Sequence, residues 1–149
     1  MEEIIVKPLE SALGVKLNSS RIEVHNTIGI PTRIIENTDH YQNEDLMFSI
    51  DYDENNCVEY ISISNPLSNK FKVLYNNYNI FENTAEELIK KIESETIFRY
   101  DRDDPEMEYS YIFNDLELSF WRSTLPESED DNDGKFFETV GIGVKGYYD

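Results

Sequence analysis

Leu46-Met-Phe-Ser-Ile-Asp-Tyr52, Asp53-Glu-Asn-Asn56 and Cys57-Val-Glu-Tyr-Ile-Ser-Ile63 form the stretch that decides the fold class. Leu46, Phe48, Ile50 and Tyr52 recur at period two. Successive side chains of a strand point to opposite faces, so this spacing gives a strand with one buried face. Four turn-forming residues follow. The next run is rich in β-branched and aromatic side chains, which suit a pleated, half-buried surface. The whole reads as an antiparallel hairpin.

Moving outward, Phe71, Val73 and Tyr75 alternate again and predict a third strand after the Asn65-Pro66 break. Thr84-Ala-Glu-Glu-Leu-Ile-Lys-Lys-Ile-Glu-Ser-Glu95 predicts the main helix, 84–95. Thr84 and Glu87 have capping-box spacing. Ala85, Leu88, Ile89 and Ile92 fall on one face, with Glu86–Lys90 and Glu87–Lys91 pairs opposite. Beyond Pro105, Tyr109, Tyr111 and Phe113 predict a strand. Asn114-Asp115 supplies a tight turn, and Leu116, Leu118 and Phe120 predict the next strand. Pro126 to Asp133 is a polar loop, and Phe136 to Val144 a last strand. Gly141-x-Gly143 within it marks a bulge or a close backbone approach.

Before the hairpin, Ile4 to Val6 suggests a short strand. Pro8 to Leu13 reads as a helical turn stopped by Gly14, Arg21 to Val24 as a weak strand, and Gly29-Ile-Pro31 as a turn. Strands, then a helix, then strands, with no linker and no repeat, predict an α+β fold. The expectation is a single domain over 1–149, with a largely antiparallel sheet and the 84–95 helix packed on it. A chain of 149 residues buries enough surface to fold without a disulfide or a metal.

The net charge is −18, from 31 acidic and 13 basic residues. Such a field repels nucleic acid and anionic membranes and attracts cationic proteins. The acids are clustered. From Thr96 to the end there are 14 acids against five bases. Asp101, Asp103, Asp104, Glu106 and Glu108 form one cluster, and Glu127, Glu129, Asp130, Asp131 and Asp133 another. The bland reading is two solvated loops. The functional reading is a carboxylate surface for Lys and Arg of a partner, with Tyr109 and Trp121 as aromatic anchors. Trp121 points away from the core if Leu118 and Phe120 face it.

Catalytic and metal constellations are lacking. Asp51-x-Asp53-x-Asn55 and Glu129-x-Asp131-x-Asp133-Gly134 begin like calcium loops, but Ser62 and Val140 stand where the closing bidentate acid belongs. His40 follows Asp39 in sequence, and neighbours in sequence do not make a dyad. No Gly-x-Ser-x-Gly elbow, Walker loop or dinucleotide fingerprint occurs. No catalytic residue, cofactor or metal is therefore expected. The lone Cys57, the non-basic N-terminus and the lack of a long apolar run suggest a cytoplasmic protein outside the membrane.

Leu118-Ser-Phe-Trp-Arg122, Gly134-Lys-Phe-Phe-Glu-Thr-Val-Gly-Ile-Gly-Val144 and Gly146-Tyr-Tyr148 resemble immunity proteins of bacterial polymorphic toxin and contact-dependent growth inhibition systems. The likeness is a loose pattern of aromatic and glycine positions over roughly the C-terminal third. It implies an antitoxin that binds and neutralises a cognate toxin C-terminal domain. Many such toxins are basic nucleases, including tRNases and DNases, and no direct contact with nucleic acid is implied. The alternatives are a nucleic-acid mimic that inhibits a DNA-binding protein, and an acid-dependent hydrolase. The last needs two carboxyls with opposed pKa shifts.

Overall fold

A computed structural model describes residues 2–95 and 109–148. In chain order the elements are β1 (Glu2–Ile5), β2 (Ser11–Ala12), β3 (Val15–Lys16), α1 (Arg21–Ile28), β4 (Arg33–Ile35) and β5 (Thr38–Gln42). Then come β6 (Met47–Tyr52), β7 (Val58–Ser64), β8 (Phe71–Tyr75), β9 (Tyr78–Asn79), α2 (Ala85–Glu93) and β10 (Ser110–Phe113). A 3-10 turn (Asn114–Leu116), β11 (Leu118–Trp121) and β12 (Thr139–Gly143) complete the fold.

The predicted hairpin is β6–β7, with Ile50 opposite Ile61 and a bulge between Asp51 and Tyr52. It lies in an antiparallel seven-stranded sheet of order β10-β11-β12-β7-β6-β5-β4. Register fixes which side chains line up. Phe113, Leu118, Ile142, Ile61 and Ile50 run across five strands on one face. All are buried, and each such side chain contributes about 1.5–3 kcal/mol of burial energy. These residues, both helices and the smaller sheets share one hydrophobic cluster. The fold is α+β, as the sequence pattern predicts.

Helix α2 forms as predicted. Thr84 Oγ1 accepts from Glu87 N, and the Glu87 carboxylate accepts from Thr84 N. Ala85, Leu88, Ile89 and Ile92 are buried.

Four local readings need correction. Arg21–Ile28 is a helix, not a strand. Ser20 and Glu23 form a full capping box, and Gly29 at φ 91° receives the far end. The apolar face of α1 is only Val24 and Ile28, too thin to show as periodicity. Pro8–Leu13 is not a helical turn. Leu9 and Leu13 take positive φ, and the chain folds into the two-residue strand pair β2–β3. The Asn114-Asp115 turn is a 3-10 turn with Glu117 in the left-handed region, so β11 starts at Leu118. The last strand spans Thr139–Gly143 only. The β8 strand belongs to a separate sheet of order β1-β8-β9, where it runs parallel to β1.

Gly141 and Gly143 do mark a close approach. A Cβ on Gly141 would sit 1.8 Å from Tyr60 Oη, and one on Gly143 would sit 2.7 Å from Tyr147 Cβ. Tyr60 and Tyr147 stack at 4.6 Å on the sheet face opposite the core. Glu117 holds this C-terminal strap, its carboxylate accepting from Gly146 N and Tyr148 N at 2.8 and 3.0 Å. Among the described residues no helix is long and apolar enough to cross a membrane.

Candidate functional site

One face of α2, Tyr111 of β10 and the segment that follows β11 frame a cleft of about 720 Å³. Glu86, Ile89, Lys90 and Glu93 enter it from α2. Their spacing puts them on one helical stripe. Buried Ile89 and half-buried Tyr111 give an apolar floor. Tyr111 meets Phe137 edge to face at 5.8 Å. Buried Arg122 lies 5.7 Å from the Phe137 ring centre and donates to the Gly134 carbonyl at 2.9 Å. The facing wall is the loop Pro126–Glu129, with Lys135.

That loop is pinned by its own residues. The Asp131 carboxylate accepts from Glu127 N and Asp133 N, both at 2.9 Å, and these backbone bonds hold it below the usual carboxylate range. Lys135 donates to the Glu129 carbonyl. Gly134 has φ 79°, and a Cβ there would meet Thr124 O at 2.4 Å, so the bend requires glycine. Glu127, Glu129, Asp130 and Asp133 are left exposed. The cations of the cleft are engaged: Lys90 by Glu86 at 3.2 Å, and Arg122 and Lys135 by carbonyls.

The structure thus divides the residues chosen from sequence. Asp101, Asp103, Asp104, Glu106 and Glu108 lie outside the described residues. Glu127 and Glu129 line the cleft, with Asp130 and Asp133 on the same loop. Asp131 organises that loop. Tyr109 is half-buried and its carbonyl accepts from Arg122 N. Trp121 is 43% exposed and faces the side opposite Phe120, away from the cleft floor.

A polar cluster that the sequence reading missed sits at the other end of the sheet. Asp39 has no exposed surface and occupies the core-facing row beside Ile50. Arg21 and His25, four apart on α1, both reach it. Arg21 Nη2 lies 2.6 Å from Oδ1, and His25 Nε2 lies 2.7 Å from Oδ2. Tyr52 Oη donates to Oδ2 at 3.0 Å, and the Arg21 guanidinium stacks 4.6 Å over the Tyr52 ring. Burial raises the Asp39 carboxyl. The hydrogen bonds from Arg21, His25 and Tyr52 together outweigh it and hold the group below the usual range. Burial, and after it the bond to Asp39, push Tyr52 strongly up, and burial pushes Tyr41 up to about 12. The Asp39 carboxylate thus joins Arg21 and His25 of α1 to Tyr52 of β6. Its work is to clamp α1 onto the sheet. The Arg21–His25 spacing would have pointed to it once Ser20 and Glu23 were read as a helix start.

Asp39 and Asp45 are both held down, the latter first by Ser68 and then by Lys70. With Asp131 they are shifted in one direction, so none of the three is the raised acid of a hydrolytic pair. A pH profile follows. A carboxyl whose folded pKa is depressed stabilises fully above its unfolded value of about 4 and loses that contribution as pH falls through the folded value. Stability is therefore expected to stay level from pH 8 to about 5 and to fall as pH drops below about 4, where the unfolded chain takes up protons that Asp39, Asp45 and Asp131 resist in the folded state. Urea midpoints measured along that range check this. A steady fall between pH 7 and 5 would contradict it.

No family model matches the chain, and no curated protein matches it. Similar solved structures include the following two. One is YjgB, a DUF4309 family protein from Bacillus subtilis subsp. subtilis str. 168, at 16% identity and a TM-score of 0.57, covering 93% of this chain and 88% of that one. The other is SAV1118, a cysteine-rich secretory protein from Staphylococcus aureus subsp. aureus Mu50, at 11% identity and a TM-score of 0.58. It covers 93% of this chain, which spans 46% of that longer one. At these identities the likeness shows a shared fold and nothing about activity.

Proposed function

We propose that this chain is an immunity protein, which neutralises a cognate basic nuclease toxin domain by stoichiometric binding. The observation that carries the reading is the cleft beside α2. It has an apolar floor of Ile89 and Tyr111, and carboxylates of Glu86, Glu93, Glu127 and Glu129 stand at its sides. Protein interfaces concentrate their energy in such a desolvated centre and use charge at the rim for steering. The net charge of −18 supplies the long-range attraction, and a nuclease surface that holds phosphate is its complement. The loop carboxylates are presented on a pinned backbone, so little ordering entropy is lost when they meet Lys or Arg.

On this reading the partner is a toxin domain encoded beside this chain, and the test uses that domain. Its nuclease activity should be titrated to zero at one equivalent. The triple variant Glu127→Gln, Glu129→Gln, Asp133→Asn should slow association about tenfold at low salt and flatten the salt dependence. A nuclease unaffected by the protein would end this reading. So would an association rate indifferent to both salt and the triple substitution.

A further inference from the structure

We propose that the β4 edge is a self-association surface, at which two copies of this chain pair antiparallel about Ile34 and join their seven-stranded sheets. Among the described residues, strand β4 ends the sheet and pairs with β5 alone. The two-residue turn Glu36-Asn37 makes Ile35 and Thr38 the hydrogen-bonded pair that closes the hairpin. Ladder groups alternate along an antiparallel strand, so the Ile34 N–H and C=O point away from β5. An open row of such groups is a template for another strand.

The surroundings of this edge are apolar. Ile22, Ile30, Ile34 and Ile35 are 73, 83, 55 and 45% exposed. Ile34 shares a sheet face with Asp39, over which α1 is clamped. Ile35 lies on the other face.

Charge selects a second copy as the occupant. A basic partner is drawn to the carboxylate loops, but residues 16–35 hold Lys16, Arg21 and Arg33 against one acid, Glu23. With Arg21 occupied by Asp39, this stretch is close to neutral in a chain of −18. It is where two such molecules approach with least repulsion. The edge also complements itself. A two-fold axis through Ile34 places Ile34 against its own copy, with two reciprocal backbone hydrogen bonds. It brings the Arg33 end of one strand to the Glu36 end of the other.

Sedimentation equilibrium of the full chain over about three decades of concentration tests this. The expected result is a monomer–dimer equilibrium that tightens as salt screens the remaining repulsion. Ile34→Lys should weaken it by at least about tenfold, because it sets two cations against each other on the axis. Ile34 is more than half exposed, so at concentrations where both chains are monomeric the variant should keep the wild-type urea midpoint. Amide exchange on the wild type gives an independent readout, in which the Ile34 N–H should slow as concentration rises. A chain monomeric throughout would overturn the proposal. So would a dimer that salt weakens, an Ile34→Lys variant that dimerises like wild type, or an Ile34 amide insensitive to concentration.

Discussion

Asp39→Ala is expected to lower stability by about 3 kcal/mol at pH 7, close to the lower bound for breaking a buried ion pair. Three donors converge on that carboxylate. Tyr52 is 1% exposed, so its hydroxyl would be buried without an acceptor, at about 1–3 kcal/mol. Arg21 and His25 side chains are 18 and 28% exposed. They can turn partly to water, which keeps the loss below the roughly 5 kcal/mol seen for fully enclosed pairs. Asp39→Asn retains an acceptor for Arg21 and should lose less. Urea unfolding measures both. The gap between wild type and Asp39→Ala should narrow as pH falls below about 4, where the unfolded carboxyl takes up a proton that the native one resists. A loss under about 1 kcal/mol at pH 7 would mean that desolvation of Asp39 cancels its three bonds.

Gly141→Ala carries the second large effect, about 2–3 kcal/mol, the range for overpacking. The added Cβ would stand 1.8 Å from Tyr60 Oη and 2.4 Å from Cζ. The Tyr60 ring cannot simply swing aside. It stacks on Tyr147 at 4.6 Å and meets Tyr148 edge-on at 6.2 Å. Its hydroxyl lies 3.1 Å from both Ser119 Oγ and Tyr148 Oη, which are themselves 2.5 Å apart. Burial pushes the Tyr148 phenol strongly up and Tyr147 up to about 12, as expected of a strap with little water beneath it. In a Tyr60→Ala background the space is free, so Gly141→Ala should then be nearly neutral. The double-mutant cycle should show a coupling of about 2 kcal/mol. Strict additivity would show that the ring does not define the space over Gly141.

Local patterning carried far in this chain, and tertiary pairing set its limit. The β6–β7 hairpin alternates over a single buried face, so its type and turn were readable from 46–63. Helix α2 has both a capping box and a full apolar stripe. Helix α1 has the box but only Val24 and Ile28 as its stripe, because Arg21 and His25 are spent on Asp39. Asp39 itself looks like one more surface acid. Only the β5–β6 register, which puts it beside Ile50, reveals it as a core residue. His40 drew notice by adjacency, yet neighbouring strand residues face opposite ways, and Asp39 meets His25 instead. The loop 126–133 was legible as polar and acidic. Its approach to α2 was not, because that depends on where β11 ends.

The parallel alliance of β1 with β8, Glu2 against Phe71, bears on how fast the chain reaches its native state. Strand β7 likewise waits for β12, with Ser64 against Thr139. Both closures tie together distant parts of the polymer, so their entropy is lost before any contact compensates. Barriers of this kind place folding on the millisecond-to-second scale of β-rich topologies. During synthesis, the segment up to Ser64 already holds the β6–β7 ribbon but leaves Ile4 without its ladder until residues 71–75 leave the ribosome. In that interval the nascent chain presents apolar strand edges to its neighbours, and its dense negative charge is what keeps such intermediates apart.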